Sequence, residues 1–290
     1  MNRTGDRYYL LDVFTDTPFA GNPLAVFTEA AGIPSERMQA IATELNLSET
    51  VFIGAQTADN RFPIRIFTPG TELPFAGHPT IGTAHLLASL ALADRQSPLV
   101  LQAGVGDLDV RFDSDMARFT TARPVDLQPS SLDRVTAADL LGLSLSQIVD
   151  EPVIASCGLA FHLIELDSLD ALGKALPSAA SWHRTVSPSG IEQIYLHVRT
   201  GDATRRSRMF STEIGNLRED PATGSAASAL AGFLATRQSG VGQWHWRFDQ
   251  GVEMGRPSQI HASVERDTDD AMTIHIGGRA VIVGEGRVYR

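Results

Sequence analysis

Short runs of β-branched, aromatic and aliphatic residues, each bounded by Gly, Pro, Asp or Ser, recur along the chain: YYLLDVF, PLAVF, TVFI, FPIRIF, VRF, FHLIEL, IYLHV, RSRMF, WHWRF, QIHASV, MTIHI and AVIVG. Each predicts a strand. Only three segments carry a clear helical pattern. Ser35 to Leu45 puts Met38, Ile41, Ala42 and Leu45 on one face, with Asn46 placed to end the helix. The other two are Ala-rich and follow Gly77 and Gly224; the first runs into LLASLALA (Leu86 to Ala93), apolar enough for a buried helix.

The two Ala-rich segments belong to a repeat. RIFTP…FAGHPTIGTAHLLA from Arg65 matches RMFST…PATGSAASALAGFL from Arg208; the offset is 208 − 65 = 143 at the arginines and 224 − 77 = 147 at the glycines. Four extra residues in the second connecting loop account for the difference. Each copy runs from an Arg-apolar-Phe-Thr/Ser strand through a loop to a glycine turn and a helix, which predicts two homologous halves related by a pseudo-twofold axis. ARPVDLQPSSLD (Ala122 to Asp133), with its prolines and no periodicity, reads as the crossover. The expected halves are 1–122, to which a C-terminal strand at about 280–290 returns, and 123–279.

Composition narrows the function. With 290 residues, 43% hydrophobic and 20% charged, the chain can bury a sizeable core. Its net charge of −10, and a longest basic cluster of only RRSR (Arg205 to Arg208), argue against nucleic acid as a partner. No run approaches a membrane span, and MNRTGDRYYLLDVFTD lacks a signal-like apolar stretch, since Asp12 interrupts it. A single cysteine, Cys157, excludes an intrachain disulfide and fits a cytoplasmic protein; within VIASCGLAFHLIEL it reads as core filler. AGVGDLD lacks a full GxGxxG, so no nucleotide cofactor is expected. His162, His197, His245 and His275 lack metal-ligand spacing, so no metal is expected either.

The repeated turn carries the candidate chemistry. Pro79 suits the first helical turn and places His78 at or near the N-cap, with free N–H groups around Gly77 to Thr80. Thr223, Gly224 and Ser225 are expected to do the same in the second copy, with Ser225 as N-cap. If the halves face one another, two helix starts offer donors and positive dipole ends to an anion such as a substrate carboxylate. Each residue also has a bland reading. His78 is then a helix cap, Asp220 an ordinary loop or capping carboxylate, and Glu49 solvated surface between a helix and a strand.

LDVFTDTPFAGNPLAVF, NLSETVFI, RIFTPGTELPFAGHPTIGTAH, SRMFSTEIGNLREDPATGSAASAL and QGVEMGRPSQI together resemble the PhzF family of phenazine-biosynthesis proteins, over Leu11 to Ile260. The resemblance implies an α+β diaminopimelate epimerase-like fold: two pseudo-symmetric halves, each with a curved sheet wrapped around a central helix, and an active site between them. Epimerases and racemases of this fold use one cysteine from each half, at positions that here look like Ala76 and Ala222; a two-thiol mechanism is therefore excluded. The family instead implies a glutamate for proton transfer, Glu49 of LSET. With it come His78 and Asp220 as catalytic or hydrogen-bonding partners, and Gly77, Thr223, Gly224 and Ser225 as the holders of a carboxylate. The expected function is a cofactor-independent isomerase that moves a proton, with double-bond migration, on a small carboxylate-bearing molecule, in a homodimer. The alternatives are a cysteine-independent epimerase of a small amino or hydroxy acid using Glu49 and Asp220, and a non-catalytic small-molecule binding protein.

Overall fold

The computed structural model describes residues 5–212 and 216–289. They divide into two units, one of 5–120 with 277–289 and one of 121–212 with 216–276.

In the first unit, Gly5–Val13 pairs antiparallel with both Ala280–Tyr289 and Asn22–Phe27. Asn22–Phe27 then runs parallel to Glu49–Ile53, which is antiparallel to Arg61–Phe67. Arg61–Phe67 is parallel to Leu99–Ala103, and antiparallel pairs to Gly106–Asp113 and Met116–Thr120 complete the series. Each parallel step needs a crossover. Helix α1 (Ser35–Leu45) makes the first, burying Met38, Ile41 and Ala42 against Phe27 and Phe52 and ending at Asn46 in the left-handed conformation, φ 50°. Helix α2 (Gly77–Ser89) makes the second. Eleven consecutive residues of α2, Gly77 to Leu87, are buried, so it has no solvent face and lies inside the unit. Gly82 permits this, because a Cβ there would sit 2.5 Å from Leu24 Cδ2.

The second unit repeats the order. Val153–Ser156 is antiparallel to Ala160–Glu165, which is parallel to Gln193–Gly201. That strand is antiparallel to Thr204–Ser211, which is parallel to Gly242–Gln250, itself antiparallel to Ser258–Arg266. Helices α3 (Arg134–Leu141), α4 (Leu169–Lys174) and α5 (Ala179–Thr185) pack against the sheet through Leu140, Leu172 and Trp182. Helix α6 (Gly224–Thr236) matches α2, with Ala226 to Ala235 all buried.

The repeat extends to individual atoms. Arg65 donates from Nε and Nη2 to the two oxygens of Glu72 at 2.7 and 2.6 Å, and its guanidinium lies 5.0 Å from the Phe67 ring centroid. Arg208 does the same to Glu219, at 2.8 Å for each bond, 4.8 Å from the Phe210 centroid. A bidentate pair thus ties each central strand to the loop that leads into its glycine turn.

Several expectations are corrected. LLASLALA is not helical throughout: α2 stops at Ser89, and Ala91 turns left-handed at φ 55°, letting the Leu92 N–H bond back to the Leu87 carbonyl at 2.9 Å. The crossover Ala122 to Asp133 contains a strand, Asp126–Pro129, paired with Val153–Ser156, and its last residue caps α3, Asp133 Oδ1 accepting from the Thr136 N–H at 2.7 Å. Cys157 lies half-buried just beyond a strand rather than within one, and burial pushes its thiol up to about 11.

Four histidines are buried: His78, His85, His162 and His197. Burial holds His78 and His197 down at about 3, and His85 and His162 at about 4. Their unfolded values lie near the ordinary 6.5, so below that pH the unfolded chain binds protons that the folded chain refuses. The stability they contribute is complete above about pH 6.5 and is lost as pH falls towards 4 and then 3. The unfolding midpoint should therefore drop steeply between pH 6.5 and 4.5, each histidine costing about 1 kcal/mol by pH 5.5. A midpoint that stays flat through this range would show that the rings are solvated.

Candidate active site

Glu49 opens the strand Glu49–Ile53 directly beyond α1, and pairing in parallel register with Leu24 orients it. Its side chain is 17% exposed, and Oε2 lies 3.4 Å from Nε2 of His78, which is 6% exposed. On the other side of that ring, Nδ1 lies 3.5 Å from Nδ2 of Asn22. With the Asn22 amide donating to Nδ1, the ring proton sits on Nε2 and faces the carboxylate. An ionised Glu49 would favour imidazolium, but burial opposes it and prevails: at about 3, His78 is neutral at physiological pH. The contact is therefore a neutral donor facing a carboxylate rather than an ion pair.

His78 is not a cap. The N-cap of α2 is Ala76, Gly77 and His78 are the first two helical residues, and Pro79 is third. The steric reason Pro79 suits this turn holds at the third position as well, since its missing N–H lacks an intrahelical partner there too. The N–H groups of Gly77 and His78 lead the helix, a short distance along the chain from the ring that meets Glu49.

In the second unit, Asp220 ends the short strand Arg218–Asp220, paired with Met209. Its Oδ2 accepts the Thr223 hydroxyl at 2.6 Å. The N-cap of α6 is Thr223, not Ser225, which is the second helical residue. The Thr223 side chain makes no bond to the helix, because it is turned onto Asp220. Nor is its backbone N–H free, since Gln250 Oε1 accepts it at 3.2 Å. The leading donors are thus Gly224, Ser225 and Ala226. Gly251 follows Gln250 at φ 73°; a Cβ there would meet the carbonyl oxygens of Pro221 and Arg256, each at 2.5 Å.

The structure places Glu49, His78 and Gly77 together in the first unit, and Asp220, Thr223, Gly224 and Ser225 together in the second. The two sets are not copies of each other. Ile66 pairs with Leu73 where Met209 pairs with Asp220, so Leu73 stands in the register position of Asp220. Thr50 pairs with Phe67 where Ile194 pairs with Phe210, so Gln193 occupies the position of Glu49. Each set of site residues holds one carboxylate, Glu49 in one and Asp220 in the other, at non-equivalent positions. By helix register the counterpart of Ala76 is Thr223 rather than Ala222, and neither is a thiol.

Sequence reasoning missed three residues around these sets: Asn22, Gln250 and Tyr195. Asn22 and Gln250 lie in the quoted blocks GNPLAVF and QGVEMG, yet nothing local marks a buried amide as a site residue. Among the described residues, no group of three or more His, Cys, Asp and Glu side chains is placed to hold a metal ion. Among the described residues, no helix is long and apolar enough to cross a membrane.

Residues 11–286 match the model of a family described as phenazine biosynthesis-like proteins. The trans-2,3-dihydro-3-hydroxyanthranilate isomerase of Pseudomonas aeruginosa is 35% identical over 288 residues, covering 98% of this chain and 99% of its own. Among solved structures, a phenazine biosynthesis protein of the PhzF family from Bacillus anthracis has a TM-score of 0.90 at 22% identity, covering 99% of this chain and 100% of its own. A hydroxyproline epimerase from Agrobacterium vitis has a TM-score of 0.64 at 13% identity, covering 99% and 92%. These two likenesses show the fold, the α+β diaminopimelate epimerase type.

Proposed function

Because the chain belongs to the family of phenazine biosynthesis-like proteins and is an isomerase, we propose that it moves a proton, and with it a double bond, on a small carboxylate-bearing molecule without a cofactor. Glu49 is the group that takes the proton from one carbon and returns it to another. The observation that carries this reading is the Glu49–His78 contact, a carboxylate 17% exposed against a neutral, buried imidazole. A carboxylate removed from bulk water is a stronger base than one on the surface. A neutral ring beside it does not quench its charge as a cation would. In the first unit His78 thus flanks Glu49; in the second, Asp220, Thr223, Gly224 and Ser225 offer an acceptor and donors to polar groups, the N–H groups of Gly224 and Ser225 suiting a carboxylate.

The register supplies no second copy of Glu49, since Gln193 stands in its position, so an epimerase would have to use Asp220 as its second acid–base group. The test uses trans-2,3-dihydro-3-hydroxyanthranilate, the compound in the relative's name, in D2O. Proton NMR should show its double bonds migrating with deuterium entering at a ring carbon. Inversion at a stereocentre with the double bonds unmoved would instead establish the epimerase. Binding with no exchange for this compound and related cyclic amino and hydroxy acids would establish a non-catalytic binder.

A further inference from the structure

We propose that Gln250, with Tyr195 behind it, is a positioning residue that fixes the Thr223 hydroxyl as a donor to Asp220, so that Asp220 meets the substrate as an oriented carboxylate. This rests on the reading above that Asp220 belongs to the reaction machinery.

The argument is one of donors and acceptors. Gln250 is fully buried at the end of Gly242–Gln250. The Thr223 N–H can only donate, so the amide atom 3.2 Å away is Oε1; the Asp220 carbonyl can only accept, so the atom 2.8 Å from it is Nε2. Two backbone groups therefore settle which way the amide points. The second Nε2 hydrogen meets Thr223 Oγ1 at 3.1 Å. An amide N–H cannot accept, so Thr223 Oγ1 accepts there, and its own proton is left for Asp220 Oδ2 at 2.6 Å.

Behind the amide, Tyr195 donates to Oε1 at 3.1 Å and contacts Ser207 Oγ at 2.8 Å. Burial pushes the Tyr195 phenol well above its ordinary value, so it remains a donor. A hydroxyl whose task was only to start α6 would bond a free N–H of the first turn. That of Thr223 turns away from the helix to the carboxylate, which favours the ionised form of Asp220 and holds its rotamer. Among the titratable groups near Asp220 are the Tyr195 phenol and the adjacent Glu219, which Arg208 on the neighbouring strand pairs.

The experiment is a carboxyl 13C NMR titration of the full chain labelled in aspartate, with Asp220→Asn identifying the Asp220 signal. Thr223→Val should raise the Asp220 midpoint by about one pKa unit, and Thr223→Ser, which keeps the donor, should restore it. Gln250→Met should shift it in the same direction, because the hydroxyl is then free to rotate. If that variant does not fold, Tyr195→Phe, which removes one donor and almost no volume, should show the same direction of shift. With trans-2,3-dihydro-3-hydroxyanthranilate, the acid limb of kcat/KM should move to higher pH in Thr223→Val and return in Thr223→Ser. An Asp220 titration unchanged by Thr223→Val, or by the Gln250 and Tyr195 variants, overturns the inference and leaves the reading of Asp220 intact. Normal turnover in Asp220→Asn overturns that reading whatever the titrations show.

Discussion

Glu49→Gln should lower turnover by a factor of about 100 or more, the usual loss when a positioned general base is removed. Glutamine has the shape of glutamate and can keep the same contact with the His78 ring, but it cannot take up a proton at any accessible pH. Its effect on folding should be small. The Glu49 side chain lies at the start of its strand, partly exposed and outside the apolar cluster around Phe27, Phe52 and Phe67. The backbone of the strand, rather than this side chain, makes the pairing with Leu24. A thermal unfolding curve close to that of the parent, together with the loss of deuterium transfer, is the expected pair of observations. Near-normal turnover in a folded Glu49→Gln chain would remove Glu49 from the mechanism.

The second large effect is on stability. Gly251→Ala should destabilise the protein by about 3 kcal/mol, from backbone strain and overpacking together. The residue has φ 73°, where any side chain is strained, and its new Cβ would press on two carbonyl oxygens at 2.5 Å. Backbone oxygens cannot rotate out of the way as a side chain can. One of them belongs to Pro221, whose carbonyl also accepts the Ser258 hydroxyl at 2.9 Å, and Pro221 lies between Asp220 and Thr223. The damage should reach the site as well, so the melting temperature and turnover should fall together. A variant with an unchanged melting temperature would mean that this turn relaxes freely.

The strands named from apolar runs were legible because alternation and β-branching are local properties, readable over a few residues. Asp126–Pro129 was not, since all four residues are exposed and only pairing with Val153–Ser156, about 27 positions away, makes a strand of them. Helix α3 has a local signal, Asp133 as N-cap and Gly142 left-handed at its end, but it spans barely two turns, too few for a helical period to stand out. Ser225 looked the better N-cap by type. Thr223 occupies the position because the helix begins at Gly224, and its hydroxyl is committed to Asp220.

By itself, the sequence determined that two halves share a strand–turn–helix pattern, that each turn is small enough for close approach of a ligand, and that no pair of thiols exists for two-cysteine chemistry. It also put His78 and Asp220 next to those turns, whereas Glu49 was singled out only by the family resemblance. Only the tertiary structure decided what these groups are chemically. His78 is neutral because folding buries it, and Asn22, 56 residues away, sets its tautomer. Asp220 receives a directed proton donor because Gln250 arrives from another strand 30 residues on. The difference between the two halves, Gln193 opposite Glu49 and Leu73 opposite Asp220, emerged only from strand register. Protonation and hydrogen-bond direction depend on desolvation and on partners distant in the chain, and neither has a local period that a sequence can display.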